Sequence, residues 1–216
     1  WYRGLAYDNV NVSSGGSYKG NGFSVRCLSN VKSTQMTAQV RLDNGETPFE
    51  IYQSGVPIDY IIGKTYQGGL IAYLDTLDGT GLIAAPSNFG SAPWGCSENP
   101  VSGADGTGIG TGAQNTADII AVCSETNTAA YRCDNLTLGG YSDWFLPSKD
   151  ELNILYQNIG HGNALGLGNV GGFDFGIYFS STEKSGSRVW AQNFINGSPY
   201  GASKTGYWNV RAVRAF

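Results

Sequence analysis

Apolar and polar residues alternate here in short blocks, cut apart by Gly, Ser, Asn and Asp, which is the spacing of strands joined by turns. Residues 1–12 and 23–28 read as strands around a Ser/Gly turn at 13–17, with Phe23, Val25 and Cys27 on one face. Residues 31–42 alternate weakly, Asp43-Asn44-Gly45 is a turn, and residues 49–52 read as a short strand. The apolar runs 70–74 and 81–85 predict a buried hairpin around Asp78-Gly79. Strands return at 177–181, 188–194 and 208–216. Two segments break this period. Asn115 stands where it could cap a helix carrying Ile119, Ile120 and Cys123, and Ser148 with Glu151 forms a capping box ahead of Leu152, Leu155, Tyr156 and Ile159. The Gly-rich residues 160–172 suit neither period and predict a long loop. Two helices among antiparallel strands predict an α+β fold.

The chain also carries an internal echo. Trp1 matches Trp190, Lys19 matches Lys204, and Ser24-Val25-Arg26 matches Asn209-Val210-Arg211. Residues 1–30 are therefore expected to be the terminal strands of a preceding paralogous module, residues 31–59 connecting strands or linker, and residues 60–216 the main domain.

Composition narrows the class. Gly is 32 of 216 residues, aromatics are 12% and charged residues only 14%, the make-up of a loop-rich extracellular domain rather than a disordered chain. No apolar run is long enough for a membrane span. Four Cys allow two disulfides in three connectivities, or buried thiols. The ten-residue step from Cys123 to Cys133 favours that pair, leaving Cys27 with Cys96. No Cys-x-x-Cys occurs and the one His, His161, lies in the Gly-rich loop, so no metal is expected.

The net charge of −4 is unevenly spread. Residues 184–216 hold five basic residues and no acidic one, and residues 1–32 are also basic, whereas the middle is acidic. If the two ends lie together, Arg3, Lys19, Arg26, Arg188, Arg211 and Arg214 form a basic face suited to a polyanion or an acidic partner. The competing reading is that these are single charges keeping strand edges soluble. For ligand contact, Gln192, Asn193, Asn196, Tyr200, Lys204, Tyr207 and Asn209 combine aromatic faces with amide and ammonium donors, against ordinary turn composition as the alternative. The run Gly106 to Gly112 lacks dinucleotide or phosphate-loop spacing, so no cofactor is expected. No base stands in sequence context beside a Ser or Cys nucleophile, and the carboxylates Asp150 and Glu151 are explained by helix capping, so the chain is expected not to be an enzyme.

The run from Gly139 to Leu152, Gly-Gly-Tyr-Ser-Asp-Trp-Phe-Leu-Pro-Ser-Lys-Asp-Glu-Leu, resembles the signature of the C-terminal domain family of the Legionella collagen-like adhesin. Tyr66-Gln67-Gly68-Gly69, Trp94-Gly95-Cys96, Ser180-Ser181-Thr182-Glu183 and Val210 to Phe216 extend the likeness over residues 60–216. Gly22 to Cys27 resembles the end of the sister Fibrobacter succinogenes major paralogous domain. The resemblance implies a C-type-lectin-like fold of twisted antiparallel sheets, two helices and long Gly-rich loops, on a bacterial surface or secreted protein with a binding role. Trp94 and Trp144, which belong to these motifs, are expected in the core. The calcium-dependent sugar site of true C-type lectins is not implied, because Glu98-Asn99-Pro100 and Trp208-Asn209-Val210 depart from its tripeptides. Nor is the activity of formylglycine-generating enzymes, whose fold is shared, since no Cys follows residue 133.

Two functions compete on this reading. One is a non-catalytic extracellular or cell-surface adhesion module for a glycan, an acidic one included, or for an acidic protein surface. The other is a subunit that self-associates by strand pairing into a surface filament or array. Neither invokes nucleic acid or a membrane span.

Overall fold

The computed structural model describes residues 36–97 and 99–216, together with the backbone of two strands near the start of the chain. The chain divides into two compact units, Trp1–Gln35 and Met36–Phe216. In the first, β1 (Tyr2–Leu5) and β2 (Val12–Gly15) pair antiparallel, Tyr2 opposite Gly15 and Leu5 opposite Val12. The expected Ser/Gly turn is thus partly strand, because ladder hydrogen bonds outweigh the weak local preference of Ser and Gly. The expected strand at 23–28, with its paralogous-module likeness, lies outside the described residues, as do the side chains of Arg3, Lys19, Arg26 and Cys27.

The second unit opens with helices where strands and linker were expected. In α1 (Ala38–Asp43) the Thr37 hydroxyl accepts from the Val40 N–H, and α2 (Pro48–Gln53) has a full capping box between Thr47 and Glu50 with Pro48 in its first turn. The cap chemistry was present in the sequence, and it outranks the weak period-two alternation. Ala38, Leu42 and Ile51 are buried with Ile61, Ile62 and Ile71, so this segment is core rather than connector. The Asp43-Asn44-Gly45 turn forms as expected, with Gly45 in the left-handed region at φ 95°.

After a 3₁₀ turn at Ile58–Tyr60, β3 (Thr65–Tyr66), β4 (Gly69–Leu74) and β5 (Gly81–Ala84) form an antiparallel meander. β6 (Ser91–Ala92) then leads to α3 (Gly112–Val122), α4 (Ala129–Asp134) and α5 (Lys149–Asn158). The remaining strands are β7 (Ile177–Ser185), β8 (Arg188–Asn193), β9 (Pro199–Ser203), β10 (Trp208–Asn209) and β11 (Val213–Ala215). They complete two sheets, ordered β11-β5-β4-β3 and β6-β10-β7-β8-β9, antiparallel but for the parallel pair β10 and β7. The unit is α+β, consistent with the C-type-lectin-like fold.

Among the described residues, five helices replace the expected two. The additional α4 is capped by the Thr128 hydroxyl. Asn115 does not cap α3. It lies buried within the helix, its amide exchanging hydrogen bonds with the backbone of Gly106 and donating to Ser181 Oγ, and so ties the Gly-rich loop to β7. α5 begins as expected at Ser148 with its capping box.

The single strand expected at 208–216 is split. β10 belongs to one sheet and β11 to the other, with Val210, Arg211 and Ala212 fully buried at the crossing. Trp94 and Trp144 are buried as expected, their indole N–H groups donating to the carbonyls of Ser180 and Leu138.

Candidate binding face

Most of the cations nominated in the C-terminal segment turn inward. Lys204 is 1% exposed, and its Nζ lies 2.5 Å from Glu183 Oε1, 2.6 Å from the Asn99 carbonyl and 4.7 Å from the centre of the Trp94 ring. Arg211, with no exposed surface, donates to Ala85 O, Gly171 O, Gly172 O and Asn88 Oδ1 and stacks 4.1 Å from the Phe173 ring centre. Its acceptors are neutral, and burial pushes its pKa down to about 10. Arg214, 9% exposed, bonds Asp143 and Gln67 over the Tyr141 ring. The expected basic face therefore keeps, among its described members, only Arg188 in solvent. Counting charges along a chain cannot reveal which of them the fold supplies with acceptors.

The nominated polar residues divide in the same way. Gln192 is 4% exposed, its amide donating to Asn153 Oδ1 and the Gly197 carbonyl. Asn193 and Asn196 accept from the N–H groups of Ile195 and Ser198, which makes them builders of the β8–β9 turn. Asn209 is partly buried in β10. Tyr200 and Tyr207 remain in solvent, 42% and 67% exposed.

A different cation cluster is open. Arg188 and Trp190 alternate onto one face of β8, and Trp190 pairs with Gly201 on β9. Lys184, near the end of β7, brings its Nζ to 4.1 Å from the Trp190 ring centre. Lys149, the first residue of α5, donates its N–H to Thr182 Oγ1 on β7 and places its Nζ 5.1 Å from the same ring. Arg188 Nη1 donates to the Gly201 carbonyl at 2.7 Å. A Cβ at Gly201 would lie 3.3 Å from Lys184 Nζ and 3.9 Å from Arg188 Nη1, so both cations converge over a strand position with no side chain.

One carboxylate, the exposed Asp150, touches the group, 3.8 Å from Lys149. An exposed pair of this kind holds little energy. The arrangement is a partly exposed indole with the exposed Lys184 and Arg188 and the partly exposed Lys149 around it, the chemistry that receives an anion. Lys149, Lys184 and Trp190 were not nominated from sequence. The available signal was the Ser185-Gly186-Ser187 turn, which extends β7 and sets Ser185 opposite Arg188.

The cysteines correct the expected pairings. Cys96 bonds Cys123, with Cα atoms 5.1 Å apart, while Cys133 is a buried free thiol. Cys123 is the extended residue that ends α3, which turns it toward the Gly95-Cys96 bend. Cys133 sits one turn inside α4, facing the core, so closeness along the chain did not bring it to Cys123. Burial pushes the Cys133 thiol pKa far up, which leaves it a poor nucleophile. Cys96, Cys123 and Glu125 are the one metal-capable trio among the described residues, and both sulfurs are committed to the disulfide.

The other chemically suggestive groups are also engaged. The ring of His161 is stacked 4.2 Å from that of Phe175, and its Nε2 lies 2.9 Å from the Phe173 carbonyl. Glu151 is fully buried and accepts from the N–H groups of Gly110 and Ser148, both at 2.7 Å, so one carboxylate holds the Gly-rich loop and the helix start together. Burial raises its pKa, and the backbone N–H groups of Ser148, Gly110 and Gly112 oppose that rise.

No helix among the described residues is long and apolar enough to cross a membrane. No curated protein matches the chain. The profile of the Lcl C-terminal domain matches residues 94–214, a span that contains α3, α4, α5, the Cys96–Cys123 disulfide and every residue of the open cation cluster. With more than half of its 216 residues inside that match, the chain belongs to the Lcl C-terminal domain family.

Proposed function

We propose that this protein is a non-catalytic, extracellular or surface-exposed binding module of adhesin type, and that it takes an anionic ligand on the face formed by Lys149, Lys184, Arg188 and Trp190. The observation that carries the reading is the convergence of two lysine ammoniums on one partly exposed indole, with Arg188 beside them. Cations with internal work to do are buried against acceptors in this fold, as Lys204 and Arg211 are. Three cations gathered in solvent around an aromatic ring instead raise the local concentration of anions and offer direct donors to sulfate or carboxylate groups. The disulfide supports an oxidising location, and the family supports an adhesin-related role. The engagement of His161 and the burial of Cys133 support a binding rather than a chemical role.

A screen of sulfated and neutral glycans at two salt concentrations tests this. Sulfated ligands should bind, more weakly at the higher salt, and Lys184→Ala with Arg188→Ala should abolish that binding without unfolding the chain. Binding indifferent to salt, or no binding at all, would remove the anion reading.

A further inference from the structure

We propose that Cys96, Cys123 and Glu125, once their disulfide is reduced, form a site for a thiophilic divalent cation, Zn2+ by the chemistry of the donors, and that the ion holds the two sulfurs together until they are oxidised. This site is separate from the anion-binding face and does not depend on it.

Two Sγ atoms and a carboxylate oxygen already lie within 4.8 Å of one another. A tetrahedral ion with Zn–S bonds of about 2.3 Å sets its sulfurs about 3.8 Å apart, which small side-chain rotations reach once the S–S bond is broken. Two thiolates beside one carboxylate select zinc over magnesium and calcium, which take oxygen donors. Both cysteines are buried while Glu125 is exposed, so an ion enters from the Glu125 side and keeps solvent in its fourth position.

Contacts other than the disulfide hold all three residues in place. Cys96 lies on the 93–101 segment, where the Pro93 carbonyl accepts from the Ala129 N–H at 2.8 Å and the Trp94 N–H donates to the Lys204 carbonyl at 2.9 Å. Further along, the Asn99 carbonyl accepts from the buried Lys204 Nζ, and the Val101 N–H donates to Glu183 Oε2. Cys123 ends α3, its N–H bonded at 2.8 Å to the carbonyl of the fully buried Ile119. Glu125 follows between α3 and the Thr128 cap of α4, and its Oε2 accepts from the Cys96 N–H at 3.4 Å. None of these bonds involves sulfur, so reduction leaves two thiols facing one oriented carboxylate, a preorganised chelate.

A dithiol reductant breaks the S–S bond by supplying two electrons and two protons, and itself becomes a disulfide. The cation then forms two S–metal bonds as both thiol protons leave to solvent. Oxidation by a disulfide exchange partner withdraws two electrons from the thiolates, re-forms the S–S bond and releases the cation. Cys133 lies buried in α4 outside the trio, so the ion selects the pair that the disulfide joins.

The test uses the full chain carrying Cys27→Ser, which leaves Cys133 as the one further thiol, kept reduced with a phosphine. Co2+ is the spectroscopic probe, and Zn2+ affinity is measured by competition with a chromophoric chelator. The reduced protein should show a thiolate-to-cobalt charge-transfer band and bind Zn2+, and the oxidised protein should do neither. Removing even a group that only orients a metal ligand costs about 10–100-fold in affinity, so Glu125→Ala should weaken Zn2+ by about tenfold or more. Cys133→Ser should leave the affinity unchanged. Circular dichroism without metal checks the fold of the reduced chain. Absence of the band, or Zn2+ binding no tighter in the reduced than in the oxidised protein, would overturn the site. So would Glu125→Ala binding within about twofold of its parent, or Cys133→Ser abolishing binding, since either outcome puts the ligands elsewhere. Loss of the folded spectrum on reduction overturns it as well, because the rest of the fold then does not hold the three donors.

Discussion

Lys204 and Arg211 on one side, Lys184 and Arg188 on the other, come from the same acid-free stretch of sequence, yet the fold gives them opposite work. The first pair is sealed in the core with carbonyl and carboxylate acceptors, while the second stands in solvent beside an indole. The difference shows that a cation's role is decided by whether tertiary structure delivers acceptors to it. Desolvating a charge is costly, so a buried one must be fully paired, and its removal strands its partners. An exposed charge can be removed at almost no structural cost, which leaves it available for binding.

The comparison is broken hardest at Arg211, which bolts Ala85 just after β5, the 171–172 turn and Asn88 to the point where the chain crosses between sheets. Arg211→Met should cost about 3–5 kcal/mol in urea unfolding, since four acceptors lose their donor at once. Near-wild-type stability would mean that this guanidinium is not structural. Lys204→Met comes next, at about 3 kcal/mol, because it leaves the Glu183 carboxylate buried beside Trp94 without its cation. Adding Glu183→Gln should recover part of the loss, and a double variant no better than the single would separate the two residues energetically.

Glu151 extends the comparison to a buried anion. Glu151→Gln puts an amide NH2 against a backbone N–H and should cost about 2 kcal/mol. Because its folded pKa is raised above 4.5, the folded state binds the proton more tightly than the unfolded chain does. Its contribution to stability is complete below 4.5 and is lost as pH rises through the folded value. The advantage of wild type over Glu151→Gln should therefore shrink as pH climbs from 4.5, and a growing advantage would contradict the raised pKa. The smallest effect belongs to the exposed set: Lys184→Ala with Arg188→Ala should change unfolding free energy by less than about 0.5 kcal/mol while removing sulfated-ligand binding. A large loss of stability there would move these residues to the structural side of the comparison.

Legibility along the sequence followed the range of the interactions. The 70–84 hairpin and the Ser148 box rest on neighbours within a few residues and were readable, as was the α+β class they imply; the two core tryptophans were expected from the family resemblance, and Trp94 is held by a carbonyl 86 residues away. The Thr37 and Thr47 caps were equally local, but weak alternation around them obscured two helices. The disulfide and the contacts of Lys204 and Arg211 join segments 21 to 126 residues apart, beyond any local pattern. The binding face lay between these extremes, since the β7–β8 turn could have aligned Lys184, Arg188 and Trp190, whereas Lys149 reaches Trp190 only because α5 docks on the sheet.

The sequence by itself determined where turns, caps and alternating strands fall, because backbone preferences and side-chain period act over a few residues. It also set the acid-free composition of the C-terminal stretch. Tertiary structure alone decided that Cys96 meets Cys123, that Arg211 is buried at a sheet crossing and that two lysines from different elements share one indole. Each of those outcomes depends on bringing distant segments together, and only the packed sheets fix which acceptors, sulfurs and rings stand within reach.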